Sequence, residues 1–160
     1  MIVEAVAFFL ASFIPIATNP SSFLQNLKEK GCPACTSPSA SHFKVFMSTS
    51  VPLESWKDLS YQLEQTEGIF VLKGLPQDSI ELLAKFIFEL RGAGVNAPID
   101  IDPENFAKYE IDAVPAIVLE DGEQWDRMIG NLRLDAVLKE FAEKGNTHSK
   151  AKAILQRLLP

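Results

Sequence analysis

The chain has 160 residues, 47% hydrophobic and 22% charged, a globular composition rather than a disordered one and enough for one domain with a core. Its formal net charge is −6, and its Lys and Arg are scattered apart from a mild C-terminal group of Lys150, Lys152 and Arg157. That balance argues against a nucleic-acid partner, because binding a phosphate backbone needs clustered cations.

From Ala5 to Ala17 the chain carries no charge, and this run is shorter than the roughly 20 residues that span a bilayer. It reads as the apolar part of a secretory signal peptide over 1–18, although Glu4 stands where Lys or Arg is usual. The alternatives are a buried amphipathic helix or a membrane-proximal anchor; any membrane contact would then run through this uncleaved segment. Asn19-Pro20-Ser21-Ser22 signals a helix start, and Phe23, Leu24 and Leu27 give a short stripe that closes at Gly31. Both cysteines follow, in Cys32-Pro-Ala-Cys35, and the Pro- and Ser-rich stretch behind them is a loop that completes a 19–42 segment. An even cysteine count agrees with pairing in an oxidising compartment.

From Phe43 the pattern becomes regular. FKVFMS reads as a buried strand, and the helix after Pro52 carries Leu53, Trp56, Leu59 and Leu63 on one face. GIFVLKGL is a second strand. The following helix places Ile80, Leu83, Ala84, Ile87 and Leu90 inward and ends at Gly92 and Gly94. APIDI is a third strand, and Asp102-Pro103 opens a short helix with a cap followed by proline. AIVLEDGEQWDRMIG reads as a hairpin around Asp-Gly. Leu134, Val137, Leu138 and Phe141 line an amphipathic helix, and a terminal helix of undecided docking occupies 146–160. The domain proper is therefore 43–145, in the order β-α-β-α-β-α-β-β-α. This implies an α/β fold with a central mixed sheet of four to five strands flanked by helices.

That order, with IDAVPAIVLEDGEQWDRMIGNLRLDAVLKEF, resembles the C-terminal half of thioredoxins. The resemblance implies a thioredoxin-like fold and a cis Val114–Pro115 peptide bond facing the active-site loop. Four ordered pieces are similar to the F-type TrbC family: VFMSTSVPLESWKDL, FVLKGLP (where the family usually has L-R-G-L), IDIDPENFAKYEIDAVPAIVL and GNLRLDAVLKEF. This resemblance covers about Phe43 to Glu143. It implies a periplasmic assembly factor for an F-type conjugative pilus or its type IV secretion channel. It also implies partners among the other periplasmic components, a TraW-like protein above all.

A reactive Cys-x-x-Cys sits at a helix N-terminus after the first core strand, where the helix dipole stabilises a thiolate. That junction here reads Ser48-Thr49-Ser50-Val51-Pro52, and serine cannot replace a thiolate in disulfide exchange. His42 and His148 read as solvated surface residues. Cys32 and Cys35 stay open between a structural disulfide or inert pair, a labile pair folding back towards Pro115, and a half-set of zinc ligands completed by another chain. Asp100, Asp102, Glu104 and Glu110, and likewise Asp121, Glu123 and Asp126, lack the spacing of a calcium loop. No phosphate-loop, serine-hydrolase or zinc-protease motif is present, and no catalytic residue, cofactor or metal is assigned. The expected function is binding, with the candidate groove formed by Ser48, Thr49, Ser50, Val51 and Pro52 on one side and Val114 and Pro115 on the other. Thioredoxin folds hold extended peptides at that place. The alternative is a thiol-disulfide oxidoreductase or isomerase using Cys32 and Cys35.

Overall fold

The computed structural model describes residues 42–158; Cys32, Cys35 and the apolar N-terminal run lie outside the described residues. Five strands form one mixed sheet: β1 (Phe43–Met47), β2 (Ile69–Leu72), β3 (Ile99–Ile101), β4 (Ala116–Asp121) and β5 (Gln124–Ile129). Their spatial order is β3-β2-β1-β4-β5. β1, β2 and β3 run parallel, and β4 and β5 antiparallel to their inner neighbours. The helices are α1 (Leu53–Thr66), α2 (Ile80–Gly92), α3 (Pro103–Lys108), α4 (Leu134–Lys144) and α5 (His148–Leu158). This is the α/β order read from the sequence, and the sheet is covered on both faces.

Alternation along the strands divides the interior. Phe43, Val45 and Met47 of β1, with Phe70, Leu72, Ile117 and Leu119, meet α1, α2, α4 and α5 in the larger core. Trp56 is the hub of that face, its ring 4.8 Å from Phe70 and 5.5 Å from Phe86. α5 belongs to the same core through Ala151 and Ile154. It is joined to β5 by Asp126, whose carboxylate accepts the Thr147 amide at 2.7 Å and the Thr147 hydroxyl at 2.6 Å. Burial alone would raise the Asp126 pKa, but these hydrogen bonds and those from Asn146 hold it below the ordinary value. Gly145 is required at that junction, since a Cβ there would stand 2.4 Å from Asp126 Oδ2 and 2.7 Å from the Phe141 carbonyl oxygen.

Phe46, Ile69, Val71, Ala116 and Val118 point to the other face and pack on Phe106 of α3 and on Tyr109 and Ile111 beyond it. Local chemistry sets the helix starts. Asp102 Oδ1 accepts the Asn105 amide at 2.9 Å with Pro103 next in line, and Ser79 Oγ accepts the Leu82 amide at 3.3 Å.

One expectation is corrected. Along α2 only Leu83 and Leu90 are buried, Phe86 and Ile87 are half-buried, Ala84 is exposed, and Ile80 is 70% exposed. Thirteen helical residues extend about 20 Å, whereas the four residues of β2 extend about 13 Å. The first turn of α2 therefore overhangs the sheet, and Ile80 has no strand beneath it.

Candidate functional site

The ladder between β1 and β4 ends at the pair Phe46–Ala116. Beyond that pair, Met47 and Ser48 continue the chain from β1, and Val114 and Pro115 lead into β4. The register thus gathers the Ser48–Pro52 turn and the Val114–Pro115 segment at the end of the sheet where the parallel strands finish. The Val114–Pro115 peptide bond is cis.

The turn is held by its own hydrogen bonds. The Val51 amide donates to the Ser48 carbonyl at 3.0 Å, the Ser50 amide to Ser48 Oγ at 3.3 Å, and the two serine hydroxyls lie 3.0 Å apart. Val51 packs against the larger core, while Thr49, Ser50 and Pro52 are exposed. Pro52 precedes α1 without a side-chain cap. The turn between β1 and α1 thus holds two serine hydroxyls engaged with each other. On the other side, the Pro115 carbonyl accepts the Gly130 amide at 2.8 Å. Val114 is half-buried, and its main-chain N–H and C=O have no hydrogen-bond partner among the described residues. Asn131 Nδ2 donates to Ser55 Oγ at 3.1 Å and ties the loop after β5 to the first turn of α1.

Exposed apolar side chains collect around this end. Leu53 opens α1, Leu75 and Ile80 follow β2, Ile101 closes β3, Ile129 closes β5 and Leu132 lies just beyond; each is at least 37% exposed. Of the large exposed apolar residues described, only Tyr61, Leu82 and Phe88 stand outside this group. Scattered exposed apolar residues are ordinary; these six share the end of the sheet where β1, β2, β3 and β5 finish.

A polar cluster under α3 went unread in the sequence. Lys44, on the central strand and 2% exposed, places Nζ 2.8 Å from Glu120 Oε2. Lys108 pairs with the second oxygen of Glu120, and its ammonium lies 4.8 Å from the Tyr109 ring centroid. Burial opposes ionisation of Glu120, yet the contacts from Lys108 and Lys44 outweigh it and hold the carboxyl at about 2. Burial pushes the Tyr109 hydroxyl up. The signal was a lysine inside an otherwise apolar strand, but its partner is 76 residues away. His42 is exposed beside β1, and His148 is exposed at the start of α5. Among the described residues no cluster of His, Cys, Asp or Glu is placed to hold a metal, and no helix is long and apolar enough to cross a membrane.

The family model described as "Type-F conjugative transfer system pilin assembly protein" matches residues 45–141. A curated relative from Escherichia coli (strain K12), "Periplasmic protein TrbC", is 26% identical over 141 residues, which is 88% of this chain and 66% of the relative. The chain thus spans just under two thirds of that relative's length. No solved structure matches.

Proposed function

Since the chain belongs to the F-type TrbC family of type-F conjugative transfer pilin assembly proteins, we propose that it is a periplasmic assembly factor acting by protein–protein binding at the end of its sheet. Its partners on this reading are other components of the conjugative transfer system, first a TraW-like protein. The groove is formed by Ser48, Thr49, Ser50, Val51 and Pro52 facing Val114 and Pro115, and it takes an extended segment of the partner. The domain is read as thioredoxin-like and redox-inactive. In support, β1-α1-β2 is a parallel unit, α3 crosses to the opposite face, β4 and β5 form an antiparallel hairpin, and α4 returns to the face of α1. On this view α2 and β3 are an addition at the outer edge of β2.

The observation that carries the reading is Val114, whose main-chain donor and acceptor have no partner among the described residues, at a sheet end bordered by apolar side chains. A backbone pair left open beside a strand is what an added strand satisfies, and apolar neighbours supply the desolvated contact area. The test is titration of the purified TraW-like component against the wild type and against Leu53→Asp and Leu132→Asp. Both rim residues are exposed, so the variants fold. At least tenfold weaker binding is expected; unchanged affinity in both would move the interface to a helix face.

A further inference from the structure

Outside the groove, the α3 face carries a cleft of about 440 Å³, within the range of ligand pockets. Its floor is Phe106 and Ile111, both nearly buried, and its walls carry Lys73, Arg127, Glu110 and Asp112. Arg127 is half-buried and has no carboxylate partner among the described residues. Its Nη1 donates to the Tyr109 carbonyl at 2.8 Å and to the Glu110 carbonyl, which fixes the guanidinium, and Nε and Nη2 have no acceptor among the described residues. Lys73 is exposed and likewise makes no ion pair among the described residues. Two cations and two acids give the walls no net charge, a poor match for a polyanion. A fixed guanidinium above an apolar floor suits a single carboxylate next to an apolar side chain.

We propose that this cleft is a specificity pocket for a peptide carboxylate, an Asp or Glu side chain of the partner's extended segment, seated on Arg127 and Lys73 with a neighbouring apolar side chain on Phe106 and Ile111. The inference rests on the reading of the sheet end as a groove for an extended segment. Continuity supports it, because Asp112 is two residues from Val114. A strand advances about 3.3 Å per residue, so a segment paired beside Val114 reaches the cleft within two or three residues. Glu110 and Asp112 on the same wall repel runs of acidic residues and favour an isolated one beside a basic neighbour.

The test uses the full chain and short synthetic peptides in a Ser/Ala background, each carrying one Leu and one Glu at varied spacing, with Gln-for-Glu counterparts. Binding is followed by amide chemical shifts. The expected result is shifts at Lys73, Ala107, Glu110 and Asp112, with affinity falling about tenfold from Glu to Gln peptides. A similar fall is expected in Lys73→Gln, an exposed position that leaves the fold intact, and in Arg127→Lys. Equal binding of Glu and Gln peptides, or no peptide shifting these amides, overturns the pocket. If the peptides then still shift Ser50 and Val114, the groove stands and only the carboxylate pocket fails. If neither set moves while the TraW-like component binds, the groove fails with it.

Discussion

The two faces of the sheet are built for different ends. On the side of α1, α2, α4 and α5, the contact is a continuous apolar core around Trp56 and Phe70. The opposite side is covered by the six residues of α3 and the turn behind it, and a smaller apolar cluster there adjoins the ion pairs of Glu120 with Lys44 and Lys108. The larger apolar face supplies most of the stability, at about 25 cal/mol per Å² removed from water. The ion pairs on the α3 side add little net stability, because desolvating the ions costs about as much as their attraction returns. They do fix where α3 and the following 109–115 segment sit, and that segment carries Asp112, Val114 and Pro115.

The contrast breaks most visibly at Phe70. Phe70→Ala on the larger core is expected to cost about 3–5 kcal/mol in denaturant unfolding, the usual loss for a buried ring. Glu120→Gln, which leaves Lys44 buried beside a neutral partner, is expected to cost about 3 kcal/mol. The double change Lys44→Met with Glu120→Leu should recover most of that loss, since neither charge then remains buried. A double variant as unstable as the single one would mean that the ion pair itself supplies net stability.

Acid sharpens the same point. Glu120 titrates at about 2 in the folded protein against an ordinary 4.5. Its contribution is therefore complete above pH 4.5 and is lost as pH falls from there towards 2, up to about 3 kcal/mol. Asp126 is lowered too and acts in the same direction on the other face. Unfolding free energies at pH 7, 4.5 and 3 should fall more steeply in the wild type than in Glu120→Gln, and parallel curves would place the acid sensitivity elsewhere.

The apolar face was largely legible in the sequence, because its information is local. The stripe Leu134, Val137, Leu138 and Phe141 follows the helical period, and Asp102-Pro103 announces α3. Where a helix outruns its strands the period misleads, and Ile80 was read inward for that reason. The ion pairs on the α3 side were not legible: Lys44 and Glu120 meet only because β1 and β4 pair, and the cleft between Lys73 and Arg127 exists only once β2 and β5 are placed. Of the candidate site, the Ser48–Pro52 turn and Val114–Pro115 were identified by resemblance. The apolar rim around them depends on the strand order, which no local pattern carries.

Smaller effects follow at the rim and at the cysteines. Leu53→Asp and Leu132→Asp should change stability by no more than about 0.5 kcal/mol, since both side chains are exposed. A larger loss would mean that these residues pack rather than bind. Cys32→Ser should leave insulin-reductase and isomerase activity at the same background level as the wild type. Activity in the wild type that the variant lacks would establish the oxidoreductase reading instead.

The central claim is that the sheet end is the binding surface, and amide hydrogen exchange of the full chain with and without the TraW-like component tests it most directly. The account predicts new protection at residues 48–52 and 113–116 and along the rim after β5, with α4 and α5 unchanged. Protection confined to α2, α4 or α5, with the Ser48–Pro52 turn and Val114 exchanging as before, would contradict it.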